Sequence, residues 1–211
     1  MMKKLAIFMI CGLVILGATA SYSQMYPERQ ATSKQTPKGR SFFLLRGGYF
    51  SPSDSDVDEI WDGGGITISA GIGGKSPESQ FSTLLAIDYW KKETTLVAYD
   101  YYYHPTYIDF SLRIIPITFS VIYNIPNEGG FTPYFGGGFG YYMAKLEAKA
   151  SGYSESESES SWGFHLLGGL EFPVSPNTSI NVEAKYASAE IDDWDMQAGG
   201  LTVCGGLAFS Y

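Results

Sequence analysis

Outside its first two dozen residues, this 211-residue chain offers few groups that could do chemistry: two histidines, one cysteine and a set of charged side chains. A histidine acting as general base needs a nucleophile within hydrogen-bond reach. Along its own strand, His165 has Leu167 at the next same-face position and Glu171 six residues on, so it reads as a paired interior histidine. His104, in Tyr102-Tyr103-His104-Pro105, reads as a loop residue. The run Gly71-Ile72-Gly73-Gly74-Lys75-Ser76 ends like a phosphate-binding loop, but that motif needs glycine where Ser69 stands and a helix where turn signals follow. It reads as a hairpin turn. No catalytic, cofactor-binding or metal-binding residue is assigned, and no cofactor is expected.

Carboxylates gather in three places. Ser154-Glu155-Ser156-Glu157-Ser158-Glu159-Ser160 reads as an acidic loop tip, with Asp54, Asp56, Asp58 and Glu59 in one further loop and Asp192, Asp193 and Asp195 in another. Solvated loops kept soluble by like charge are the plain reading. Calcium shared with an anionic surface is the sharper one, although no loop has EF-hand spacing.

The elements that must position these groups are strands. Ile180, Val182, Ala184 and Tyr186 alternate strictly with Ser179, Asn181, Glu183 and Lys185, the period of a β-strand with two unlike faces. The same alternation recurs, predicting eight strands at 40–50, 64–73, 80–92, 107–124, 132–149, 161–174, 178–190 and 199–211. In the fourth, the apolar set moves from Phe110, Leu112 and Ile114 to Ile117, Phe119, Val121 and Tyr123, which predicts a bulge near Ile115 or Pro116. Short connections alternate with long polar ones at 51–63, 93–106, 150–160 and 191–198. The reading is all-β: an eight-stranded antiparallel up-and-down barrel.

Which face meets which solvent is decided by the aromatics. Trp61, Trp90, Trp162 and Trp194 fall at the long-loop ends of strands, and Tyr123, Tyr134, Phe172 and Tyr211 at the opposite ends. Two such belts suit the two lipid–water interfaces of a membrane. Each strand of a transmembrane barrel needs only about 9–11 residues. The apolar faces are therefore expected to meet lipid. Arg46, Asp88, Arg113, Lys145, Glu147, His165, Glu171, Glu183 and Lys185 are expected to form a paired polar network inside. Eight strands leave room only for side chains, so an open channel is not expected.

Residues 1–23 read as a secretory signal: Lys3 and Lys4, an apolar run from Leu5 to Gly17, then small residues, with cleavage after Ala20 or Ser23. Residues 24–39 read as a flexible tail and 40–211 as the barrel. Without Lys3 and Lys4, 12 of the 14 basic residues remain against 22 acidic ones, a poor balance for binding nucleic acid. Cys204 would be the only cysteine left, so no internal disulfide can form.

Leu45-Arg46-Gly47-Gly48-Tyr49-Phe50-Ser51-Pro52 and Pro133-Tyr134-Phe135-Gly136-Gly137-Gly138-Phe139-Gly140-Tyr141 resemble strands of the small outer-membrane β-barrel domain family, which includes OmpX, OmpW and the OmpA transmembrane domain. The end, with Val203, Leu207, Phe209 and Tyr211 on one face, is similar to the terminal signal such families present to the barrel-insertion machinery, closing in Tyr where Phe is commoner. The resemblance spans about residues 40–211. It implies a bacterial outer-membrane location with both termini in the periplasm, and membrane lipid and lipopolysaccharide as surroundings. A non-enzymatic monomer with a structural or surface-interaction role is expected. A narrow conduit for small apolar solutes and a lipid A-modifying enzyme are the alternatives.

Overall fold

Alternation of apolar and polar residues sets each strand, and antiparallel pairing closes the strands into a ring. The computed structural model describes residues 39–54, 63–76, 79–99, 105–150, 153–191, 194 and 196–211. The expected signal segment, the tail to residue 38, Trp61, His104 and the acids Asp56, Asp58, Glu59, Asp192, Asp193 and Asp195 lie outside these residues. The strands are β1 (Arg40–Pro52), β2 (Gly65–Lys75), β3 (Phe81–Tyr99), β4 (Pro105–Asn124), β5 (Thr132–Ala150), β6 (Tyr153–Ser175) and β7 (Thr178–Ser188), then β8 (Glu190–Ile191), β9 (Met196–Gln197) and β10 (Gly200–Ser210). Going round, the ring runs β1-β10-β7-β6-β5-β4-β3-β2, and β1 pairs with β2 to complete it. This is the predicted eight-stranded antiparallel barrel.

Three features differ from the sequence reading. First, β3 and β6 are longer than expected. The segments 93–99 and 153–160 are strand, so the Ser–Glu run pairs along β5 from Ala144↔Glu159 to Lys149↔Ser154 instead of forming a loop tip. Its strict alternation is itself a strand period, which the charge run concealed. Since β2 pairs with β3 only as far as Thr67↔Trp90, and β7 with β6 only as far as Phe164↔Ser188, β3 to β6 project as a four-stranded sheet beyond the other strands. Second, β8 and β9 pair antiparallel, Glu190↔Gln197 and Ile191↔Met196, where a loop was expected from residue 191 to 198.

Third, the bulge expected at Ile115 or Pro116 does not form. The β4–β5 register runs unbroken from Asp109↔Lys149 to Asn124↔Tyr134. Pro116 has no N–H to give, so the β3–β4 ladder skips two pairs, yet Ile87↔Ile117 and Trp90↔Ile114 keep one register. The irregularity lies instead in β6, between Pro173 and Ser175. What changes along β4 is the surroundings, not the phase. Below Pro116, Ile117, Val121 and Tyr123 face outward with Thr118 and Ser120 inside; above it, Leu112 and Ile114 are inside and Arg113 is outside.

The interior is therefore layered along the axis. At the short-turn end, Leu44, Leu84, Ala86, Ile122, Tyr134, Leu167 and Ala208 cluster. At the other end, Phe50, Trp90, Leu112, Ile114, Tyr142, Ala144 and residues of the β7–β10 connection form a second cluster, against which Trp194 and Met196 pack. Between them lies a belt of buried polar side chains. The outer face beside that belt is apolar and exposed, for example at Leu45, Ile68, Ile87, Phe139, Leu166, Val182 and Leu207.

Candidate functional site

The belt is assembled from strands that are not neighbours. Arg46 of β1 and Glu183 of β7 form an ion pair with Nη1 and Oε1 2.5 Å apart, and Arg46 Nη2 donates to Ser69 Oγ at 3.4 Å. Glu183 Oε2 accepts from the Tyr134 hydroxyl at 3.1 Å, and Asn181 Nδ2 donates to that same hydroxyl at 2.5 Å. Lys185 of β7 pairs with Asp88 of β3 across the lumen. Two cations and two carboxylates thus neutralise each other, the condition under which buried charge is tolerated. Glu171, nearer the short-turn end, accepts from Ser179 Oγ at 2.7 Å. It borders a cavity of about 160 Å³ that Arg40 and Lys75 also line.

His165 Nε2 lies 2.8 Å from Ser120 Oγ, both side chains being buried. The serine sits two strands away from the histidine, opposite Gly138, which is opposite His165. A Cβ at Gly138 would come 1.8 Å from the carbonyl oxygen of Phe119, so only glycine fits between them. Scanning the histidine's own strand for a nucleophile could not find this partner, because it appears only once two registers are known. A serine and a histidine in contact can act as nucleophile and base. Here the orienting third group is missing: His165 Nδ1 has no partner among the described residues.

The remaining expected residues divide. Arg46, Asp88, His165, Glu183 and Lys185 are buried inside, and Glu171 lies on the same inner face. Arg113, Lys145 and Glu147 were expected inside but stand on the outer face. Arg113, Lys145 and Lys149 surround Glu147 there at 3.8, 2.7 and 3.6 Å. The cause is the unbroken β4 register, which places the charged face of the upper strands outward. Of the expected aromatic belt, Trp162, Phe172 and Tyr211 are exposed on the outside, and Tyr123 packs there between Phe81, edge-on, and Phe135, tilted, at ring-centroid distances of 5.2 and 5.5 Å. Trp90 and Tyr134 point inward and are buried, and Trp194 packs on the upper interior cluster. These three carry polar atoms, so their position near a strand end does not by itself tell rim from lumen. Outer-face rings absent from the expected belt, Phe81, Phe135 and Tyr141, join it instead; Tyr141 lies 5.1 Å from Trp162.

Glu155 and Glu157 are exposed on the inner-face side of the projecting sheet, with Ser154, Ser156 and Ser158 on the other. Among the described residues, no three carboxylate, histidine or cysteine side chains converge as a metal site would require. Cys204 is a buried free thiol.

A family model described as an outer membrane protein beta-barrel domain matches residues 16–209. No curated protein matches the sequence. Among solved structures, Neisserial surface protein A is similar over 82% of this chain and 99% of its own, with 15% identity and a TM-score of 0.52. The outer membrane protein OprG from Pseudomonas aeruginosa is similar over 82% and 96%, with 13% identity and a TM-score of 0.53. For a major outer membrane protein from Thermus thermophilus the shares are 82% and 99%, with 11% identity and a TM-score of 0.55. At these identities the likeness is one of fold.

Proposed function

Starting from the fact that this chain belongs to the outer membrane protein beta-barrel domain family, we propose that it is a non-enzymatic monomer of the bacterial outer membrane whose lumen is closed and whose projecting sheet is its working surface. The observation that carries this reading is the layering of the lumen. A charge-balanced belt of Arg46, Glu183, Asp88 and Lys185 lies between two apolar clusters. A water path would have to cross both clusters. In this reading Trp162, Tyr123, Phe172 and Tyr211 sit at the lipid–water interfaces, and Val203, Leu207, Phe209 and Tyr211 form the signal for the barrel-insertion machinery. Both termini and the short turns face the periplasm, and the four-stranded sheet of β3 to β6 stands outside the cell, where its acidic β6 strand meets surface partners. Divalent cations at those acids belong to this reading too.

The test is single-channel recording with the purified, folded chain in planar bilayers. A closed lumen gives no steady conductance, and a stable ohmic current would overturn the reading in favour of a conduit. The serine–histidine contact favours one further reading, a lipid-modifying enzyme. That reading requires His165→Ala to abolish a change in lipid A mass that the wild-type chain produces.

A further inference from the structure

The cavity at the short-turn end of the lumen is lined by opposite charges that do not meet. Arg40 and Lys75 are direct cross-strand partners, one opening β1 and the other closing β2. Glu171 stands on β6, four strands from β2 either way round the ring, so it faces them across the opening. Arg46 and Lys185, deeper in the lumen, are paired with Glu183 and Asp88. Among the described residues, neither Arg40 nor Lys75 has a carboxylate at ion-pair distance, and Glu171 has only the Ser179 hydroxyl. Leu44, Leu84 and Ile122 supply apolar wall to the same cavity.

The cavity wall also holds an unanswered acceptor. Asn181, the cross-strand partner of Glu171, is only 6% exposed and lines the cavity. The Tyr134 hydroxyl gives its proton to Glu183, so Asn181 can only donate to that oxygen, through Nδ2. This fixes the amide and leaves Asn181 Oδ1 buried without a hydrogen-bond partner among the described residues. An acceptor left so is costly, and a donor within the cavity relieves it. The volume of about 160 Å³ is several times what one water needs.

We propose that this cavity binds a small ω-amino carboxylate, a zwitterion whose ammonium and carboxylate groups are separated by a few methylenes. The ammonium group, a donor only, is held by Glu171 and by Asn181 Oδ1. The carboxylate suits Arg40, whose guanidinium can donate two parallel hydrogen bonds, with Lys75 adding point charge. The methylenes lie against Leu44, Leu84 and Ile122, out of water. An α-amino acid carries both charges on one carbon, too close together to span an opening whose own charges do not touch. With the lumen closed as given under Proposed function, the site is a pocket with one mouth. Binding itself depends neither on that closure nor on which way the barrel faces.

The experiment is NMR of the full folded chain in detergent micelles, titrated with 5-aminopentanoate. The side-chain amide signals of Asn181 should shift saturably. A hydrogen bond to a charged group is worth about tenfold in affinity or more. Glu171→Gln should therefore weaken binding about tenfold, and R40Q/K75Q should do so from the other side. Both variants should still migrate as folded barrels on unheated gels, and Lys145→Gln at the opposite end should change nothing. Pentanoate and pentylamine each lack one charged end, and each should bind about tenfold more weakly than the zwitterion. Absence of any saturable shift, which would leave the cavity to water alone, would overturn the site. So would affinity kept within about threefold in both variants. Pentanoate or pentylamine held as tightly as 5-aminopentanoate would overturn the assignment to a zwitterion. Glycine held as tightly would overturn the spacing of its charges.

Discussion

Tyr134 and Glu183 hydrogen-bond at 3.1 Å over the strand that separates them, and the residue beneath their contact is Gly169. A Cβ there would lie 2.4 Å from the carbonyl oxygen of Val182 and 2.5 Å from the Tyr134 ring. Next to it, Gly168 on the outer face has no atom nearer to such a Cβ than 3.7 Å. Gly169→Ala should therefore cost about 1–3 kcal/mol by overpacking. Gly168→Ala should stay within about 0.5 kcal/mol, as changes away from packed features usually do. Urea unfolding in lipid vesicles compares the two, and equal effects would mean that the tyrosine does not cross this strand.

The belt predicts strong non-additivity. Removing one partner of a buried ion pair leaves the other charge uncompensated, at a cost of about 3–5 kcal/mol. Asp88→Asn and Lys185→Met should each fall in that range, and the double variant should cost clearly less than their sum. A double-mutant cycle by urea unfolding measures the coupling. Additive losses would remove Lys185–Asp88 as a pair.

Above Pro116 the inside is apolar, so truncation there should behave as it does in a soluble core. Leu112 is 2% exposed, and Leu112→Ala should cost about 2–5 kcal/mol. Ser111→Ala, one residue away and facing outward, should be near neutral. The opposite order would restore the expected phase shift at Pro116.

Glu147 is held below the usual glutamate range, first by its hydrogen bond from Lys145 and then by that ammonium's charge, with Lys149 adding to both. A carboxylate lowered in the folded state contributes stability that is present above its unfolded pKa and is lost as pH falls through the folded one. Glu147 should therefore stay ionised when exposed glutamates are already protonated. In Lys145→Gln its titration should move up toward the ordinary range, as carboxyl NMR shifts would report. An unchanged titration in that variant would mean that Lys145 is not its partner.

How far the sequence can be read depended on what each residue faces. β7 was fully legible, because Ile180 to Tyr186 and Ser179 to Lys185 keep one polarity per face throughout. β4 was half legible. Its apolar residues change face where the outside changes from apolar to charged, and from sequence alone that is indistinguishable from a one-residue bulge. The Ser–Glu run was masked by composition, although its alternation agrees with the strand it forms. Ser120 with His165, and Tyr134 with Glu183, could not be found at all. Each contact depends on two successive registers, and register is set by the closure of the whole ring. Arg113 and Lys145 read as interior charges from sequence, and only the pairing shows that they stand level with each other on the outer face.

The central claim is that hydrocarbon touches one face of every strand while the other face packs shut. Spin labels placed singly at residues 179–186 of β7 in lipid vesicles test this directly, read with oxygen and with a water-soluble nickel reagent. Oxygen should reach 180, 182, 184 and 186, and both reagents should be excluded from 179, 181, 183 and 185. Nickel access at 182 and 184, or at the interior positions, would contradict the account.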